Sequence, residues 1–147
     1  YGFILHYQIM VGQTDDGVAV PMVEQTKARF PTLKQCSFDQ GFYSPNNRSK
    51  LRGLLDLSIL PSKGRRSKQE EAFETSDAFV VARRQHASVE SAINALEVHG
   101  LDRCLDHGID GFKRYVALAV VARNIQKVGA LLQKKEAKAH KRRKKAA

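Results

Sequence analysis

The sequence predicts an α/β fold whose sheet is covered by helices on its faces. Short apolar runs that suit buried strands alternate with longer segments of helical periodicity, and turn residues separate the two. Such an alternation favours a layered α/β architecture. At 147 residues and 42% hydrophobic content, the chain is long enough for one compact domain and too short for two ordinary ones.

The first half of the chain is predicted to contain three strands and two helices. Pro21 fits the first helix only in its opening turn, where the missing amide has no partner to lose, and Gly41 ends the second strand. Ser44 and Pro45 supply the N-cap and the first position of the second helix. In chain order, these elements are a strand over residues 3–11, a helix over 18–30, a strand over 36–39, a helix over 45–55 and a strand over 56–60.

The second half is predicted to be helical. Residues 61–67 form a basic loop. Residues 68–97 contain no Gly or Pro, which predicts a helix with at most one interruption that ends near Gly100. A last long helix covers residues 111–132. Its expected buried side chains include Phe112, Val116, Ala119, Val120 and Val128.

The net charge of +10 is concentrated near the carboxyl end. Residues 134–147 hold eight Lys or Arg against one Glu, which accounts for +7 and leaves +3 for residues 1–133. We therefore separate a basic tail, 134–147, which is predicted to be helical, from the body of the chain, 1–133. Such a tail attracts any polyanion because counterion release depends on charge and not on sequence, but a solvated helix end is an equally good interpretation of the tail alone.

Cysteine usage and hydropathy predict a soluble intracellular protein. Cys36 and Cys104 lack Cys-x-x-Cys spacing, so neither a zinc ribbon nor a disulfide framework is expected. No run reaches the roughly 18 to 20 uninterrupted apolar residues of a membrane span, and no signal peptide is evident, so no membrane association is expected. A core strand at the very start of a chain is unusual, and further sequence is therefore expected before Tyr1.

Asp39 and Glu90 are the candidate catalytic acids. Asp39 lies where its predicted strand ends, and ligands of open α/β sheets bind beyond the carboxyl ends of the strands. Glu90 lies on the flank of a helix whose apolar stripe includes Val89 and Ile93, so its carboxylate can face a strand end. We expect the two carboxylates to meet and to share Mg²⁺, with Mn²⁺ as an alternative, for phosphodiester chemistry.

Each acid also has an ordinary structural interpretation. Asp39 precedes Gln40 and Gly41, so it suits a turn. A Glu at the edge of a helix, such as Glu90, is usually solvated or paired with a neighbouring Arg. Spacing alone leaves both interpretations open.

Three segments, taken in order, resemble the carboxy-terminal part of bacterial insertion-sequence transposases of the DDE type. They are residues 37–45 (SFDQGFYSP), 84–97 (RQHASVESAINALE) and 111–124 (GFKRYVALAVVARN). The resemblance spans nearly the whole chain, and the ordered combination is far more specific than any one segment. It implies a ribonuclease-H-like fold, with a mixed sheet flanked by helices and an amino-terminal truncation. It also implies Mg²⁺-dependent DNA strand cleavage and strand transfer at transposon ends.

The resemblance places Asp39 at the second acidic position of the family's triad and Glu90 at the third. The first acid would belong to a strand before Tyr1, since Asp15 and Asp16 lie too close to Asp39 to replace it. Without that acid, the chain alone is expected to be inactive, because a two-metal site that lacks one carboxylate binds metal weakly. The resemblance further implies a homo-oligomer that acts on transposon ends and target DNA in the bacterial cytoplasm, at the nucleoid.

Basic residues are the candidate contacts to the DNA backbone. Arg83, His86 and Glu97 occupy positions where related transposases commonly have Tyr, Arg and Lys. A protonated His86 suits a phosphate contact, and a hydrogen bond to Glu90 one turn away is the alternative. The full set of candidates is Lys63, Arg65, Arg66, Arg83, Arg84, His86, Lys141, Arg142 and Arg143.

A noncatalytic basic module that binds nucleic acid, or a transposon remnant, is the alternative function. In that interpretation the same core presents the basic loop and tail to DNA or RNA, and the two acids are incidental.

Overall fold

Helices make up 68% of the structure. A computed structural model of the chain describes residues 2–146 and all of their side chains except those of His99 and Ala146. In chain order its elements are helix α1 (Asp15–Arg29), strand β1 (Gln35–Ser37), helix α2 (Pro45–Leu54), strand β2 (Leu57–Ile59), and helices α3 (Lys68–Glu74), α4 (Asp77–Leu96) and α5 (Gly108–Ala146). A single 3₁₀ turn covers Gln40–Phe42, and a π turn covers Glu97–Leu101.

The described residues divide into two compact units. One consists of residues 5–88, and the other of residues 2–4 together with 89–146. Helix α4 contributes residues to both. Tyr1 and Ala147, the outer ends of the predicted body and tail, lie outside the described residues.

The predicted ribonuclease-H-like mixed sheet is wrong. Within residues 2–146, the sheet consists of β1 and β2, two parallel strands of three residues each. Residues 3–11 form no strand. The backbone N–H of Ile4 donates to the Asn124 side chain at 3.0 Å, and the Asn124 amide donates to the Ile4 carbonyl at 2.9 Å. A side chain thus satisfies backbone groups that would otherwise require a neighbouring strand.

Helix α1 forms where it was predicted but begins earlier. It starts at Asp15, so Pro21 lies inside the helix and not in its first turn. Without an N–H, Pro21 cannot make the helical hydrogen bond to the carbonyl of Gly17. Burial compensates for this loss, because one side of the helix is packed into the core. The buried residues of α1 are Val18, Ala19, Val20 and Val23.

Helix α2 connects the two parallel strands and closes the core of the 5–88 unit. Its N-cap is Ser44, whose hydroxyl accepts from the N–H of Asn47 at 3.1 Å, as the sequence predicted. A crossover helix of this kind is what parallel strands require. The buried cluster beneath it consists of Val20, Val23, Leu51, Leu55 and Leu60, with Phe38 and Phe42 packed against it.

The long helical segment after the basic loop is interrupted once. Helix α3 begins at a capping box in which Ser67 and Glu70 satisfy each other's backbone N–H groups, and it ends at Glu74 with Thr75 as its C-cap. Helix α4 begins two residues later. This division agrees with the single interruption that the sequence allowed.

In the 89–146 unit, α5 is longer and less buried than predicted. The Tyr115 hydroxyl donates to the carbonyl of Gly100. Gly100 lies in the π turn and has a φ of +98°, a conformation that glycine adopts without strain. Val120 is buried, but Phe112 and Val128 are 37% and 46% exposed. The predicted helical tail agrees with the structure, since α5 continues through residues 134–146.

One helix meets the length and hydropathy criteria for a membrane span. It covers Gly108–Lys145 and contains an 18-residue window of mean hydropathy 1.3, of which 6% is buried. A single helix of this kind is weak evidence, because core helices of soluble proteins pass the same test. The absence of membrane association therefore stays a prediction.

Cys36 lies in β1 as a partly buried free thiol. Burial raises its pKa to about 11, against an opposing hydrogen bond to the Ser37 backbone. Because only the thiolate is nucleophilic, we expect iodoacetamide at pH 8 to leave Cys36 largely unmodified in the folded protein. Peptide mass spectrometry checks this, with the urea-unfolded chain as the control. Equal alkylation of Cys36 in both samples would contradict the expectation.

Candidate functional site

Asp39 lies immediately beyond the carboxyl end of β1. The strand ends at Ser37, and the N–H of Phe38 continues the ladder by donating to the carbonyl of Ile59 at 2.8 Å. Asp39 then adopts an extended backbone and precedes the 3₁₀ turn over Gln40–Phe42. Its side chain is 72% exposed. The chain therefore presents this carboxylate at the end of a parallel strand pair, open to a ligand.

His86 on α4 connects to this strand end through both ring nitrogens. Its Nδ1 lies 2.8 Å from the Ser37 hydroxyl, and its Nε2 lies 3.1 Å from Oδ1 of Asp39. The sequence predicted a phosphate contact or a hydrogen bond to Glu90 for this residue, and it did not predict the connection to Ser37 and Asp39. The presence of His86 inside the motif over residues 84–97 was the only signal for it.

The direction of one of these two contacts follows from elementary chemistry. A carboxylate oxygen accepts, so the Nε2–H of His86 donates to Oδ1 of Asp39. Nδ1 of His86 forms a second hydrogen bond with the Ser37 hydroxyl. The His86 side chain is 17% exposed, and its contacts with both residues orient the Asp39 carboxylate at the strand end.

Glu90 lies on α4 as an exposed residue. It belongs to the unit of residues 89–146, whereas Asp39 belongs to the unit of residues 5–88. Their convergence on one ligand therefore stays a prediction.

The described residues contain no complete metal site. Across residues 2–146, no group of three or more His, Cys, Asp or Glu side chains could hold a metal ion. The polar partner found for the Asp39 side chain is an imidazole, whereas Mg²⁺ prefers several hard oxygen ligands in octahedral geometry. We therefore assign no chemical step to a metal held by these residues.

A buried network of charged side chains surrounds Glu74, and the sequence did not predict it. Its Oε1 accepts from the N–H of Ser62 at 2.8 Å and from Arg48 at 3.2 Å, and its Oε2 lies 3.3 Å from Nε of Arg66. Arg48 also pairs with Glu70 and donates to the Ser62 hydroxyl. The side chains of Glu74 and Arg48 are 5% and 10% exposed. The network joins α2, α3 and the basic loop.

Glu74 is ionised in this network. Burial would by itself raise the pKa of its carboxyl group, but the hydrogen bonds from Ser62 and the charges of Arg66 and Arg48 outweigh burial and lower the pKa. Removing one member of such a buried, hydrogen-bonded pair leaves an uncompensated charge in the protein interior, which is costly.

The nine basic candidates lie at four places. Lys63 and Arg65 are exposed in the loop between β2 and α3. Arg66, Arg83 and Arg84 line one cavity of the 5–88 unit, whereas His86 contacts the strand end. In the other unit, the exposed tail residues lie near the carboxyl end of α5, where positive charge is favourable to the helix dipole. They are Lys141, Arg142 and Arg143.

Comparison with known proteins gave no match to a family model, a curated protein or a solved structure.

Proposed function

We propose that this chain is the carboxy-terminal part of a DDE-type DNA transposase, which cleaves and rejoins phosphodiester bonds at transposon ends. The observation that carries the proposal is the position of Asp39. Its exposed carboxylate lies directly after one of two parallel strands, where ligands of α/β sheets bind, and His86 orients it. The segment that resembles the family, residues 37–45, assigns an acidic catalytic position to this same residue.

Charge supports DNA as the substrate. The net charge is +10, and basic side chains line both the cavity of the 5–88 unit and the exposed end of α5. Lys and Arg in such places contact phosphates without reading sequence, and in each unit they supply positive charge for binding a duplex. The family resemblance assigns Mg²⁺ or Mn²⁺ to Asp39 and Glu90 together with the remaining carboxylate of the triad.

A noncatalytic module that binds nucleic acid is the second candidate. The observation that favours it is that the described residues gather no metal-binding group, although basic side chains are exposed in both units. The two candidates share DNA binding and differ in catalysis. Strand cleavage by the protein expressed from its complete reading frame supports the transposase, and DNA binding without cleavage supports the module.

DNA binding by the tail provides the first test. We expect the triple variant Lys141→Gln, Arg142→Gln, Arg143→Gln to bind a labelled duplex more weakly, whatever its sequence. The slope of log K against log salt should become shallower by about 0.9 for each phosphate that the variant no longer neutralises, and so by up to about 3. Fluorescence anisotropy measures both the affinity and the salt slope. The salt concentration is varied from about 50 to about 200 mM, because binding that depends on phosphate contacts weakens strongly over this range.

The control for this test removes the same charge elsewhere. Lys34→Gln, Lys50→Gln and Lys113→Gln together remove three exposed lysines that are not candidate contacts. If this control and the tail variant change the slope equally, the tail contributes only net charge and does not touch the DNA.

A further inference from the structure

A cavity of about 450 Å³ opens in the 5–88 unit between the basic loop and helices α3 and α4. Arg66 lines it from the loop, and Arg83 and Arg84 line it from α4. Phe79 and Val80 supply apolar lining. The volume lies within the range of about 300 to 1,000 Å³ that small-ligand pockets occupy.

Positive charge in this cavity is not balanced by its own lining. Glu74 is a lining acid, but its oxygens already accept from Ser62, Arg48 and Arg66. In the part of the chain that the structure describes, neither Arg83 nor Arg84 forms an ion pair. Positive charges that line one cavity without a free carboxylate repel each other, and a bound anion relieves that repulsion.

Two of the residues that line the cavity, Phe79 and Arg66, are fixed by contacts with their neighbours. Phe79 is 2% exposed, and its ring packs edge-on against Phe73 at 5.4 Å between centroids. Arg66 is fixed by its ion pair with the buried Glu74. Apolar side chains such as Phe79 exclude water from part of the cavity, so charged hydrogen bonds formed beside them are stronger than in bulk water. Guanidinium forks match the oxygens of a phosphate in pairs, which a lysine cannot do.

We propose that this cavity binds a backbone phosphate of DNA, with Arg66, Arg83 and Arg84 as its ligands. The inference rests on the DNA-binding part of the proposed function and adds a defined phosphate site whose lining does not include Asp39. A free phosphate ion has the same chemistry, and the test separates the two sources.

The test compares two double variants of the 147-residue chain. Arg83→Gln with Arg84→Gln should weaken binding of a labelled duplex about 10- to 100-fold and make the salt slope shallower by about 1. Arg29→Gln with Arg103→Gln removes the same charge outside the cavity and should change both quantities much less. Because all four arginines are exposed, both variants should fold, and circular dichroism checks this.

The outcomes are distinguishable. Equal losses in the two double variants would overturn the phosphate site and leave DNA binding intact. Failure of the parent chain to bind DNA would overturn the proposed function together with the inference. An NMR titration with inorganic phosphate supplies the third arm. Saturable shifts at Arg83 and Arg84 together with unchanged DNA affinity in their double variant would assign the cavity to free phosphate and overturn the DNA assignment.

Discussion

Asp39→Asn is expected to reduce strand cleavage by about 10³-fold in the protein expressed from its complete reading frame, and Glu90→Gln should do the same. Each change keeps the size of the side chain and removes its negative charge. Charge stabilisation of a phosphodiester transition state is worth several kcal/mol, and about 4 kcal/mol corresponds to this loss. Nicking of a supercoiled plasmid that carries the element with its flanking DNA measures it in the presence of Mg²⁺.

DNA binding serves as the internal comparison for these variants. Neither acid is a candidate phosphate contact, so affinity for a duplex should remain within about twofold of the parent value. Asp56→Asn, at an exposed acid just before β2, is the matched control and should cleave normally. Cleavage retained by the Asp39 or Glu90 variant would remove that residue from the mechanism.

Glu74→Ala is expected to destabilise the 5–88 unit by about 3 to 5 kcal/mol, because it leaves Arg48 buried without one of its two carboxylate partners. It also removes the acceptor of the buried Ser62 N–H. Urea denaturation followed by circular dichroism measures the change. Glu71→Ala, at an exposed position of the same helix, should stay within about 0.5 kcal/mol of the parent.

The loss of stability at acid pH provides a second test of the network around Glu74. The pKa of Glu74 is lowered by folding from its ordinary value of 4.5, so its contribution is present above that value and is lost as pH falls through the folded pKa. Glu74→Gln should therefore show a smaller loss of stability than the parent between about pH 5 and pH 3. Identical acid sensitivity in the two proteins would show that Glu74 is not stabilised by its partners.

Local patterns predicted the elements of this chain better than their assembly. The helix after Ser44 and the strands near Cys36 and Ile59 follow from a cap, a proline and short apolar runs, all of which act within a few residues. The strand predicted over residues 3–11 failed because a strand needs a hydrogen-bonding neighbour. An apolar run cannot supply one, and the Asn124 side chain satisfies Ile4 instead.

In the candidate site, too, local features were predicted and long-range contacts were not. The position of Asp39 at a strand end follows from its sequence neighbourhood, but its connection to His86 joins residues 47 positions apart. The Arg48–Glu74 pair spans 26 positions, and both residues have sequence neighbourhoods typical of exposed helix surfaces. Burial of such charges depends on how helices α2 and α3 pack, which neither periodicity nor composition specifies.

The most direct test of the proposed catalytic site is whether Asp39 and Glu90 share one ion. We expect Mn²⁺ to broaden the NMR signals of both residues of the isotope-labelled chain over the same titration range. A concentration of about 1 mM is needed because two carboxylates alone hold a divalent ion weakly. Asp39→Asn should then abolish the broadening at Glu90. Broadening at Asp39 that leaves Glu90 unaffected, or broadening at Glu90 that survives Asp39→Asn, would contradict a shared catalytic site.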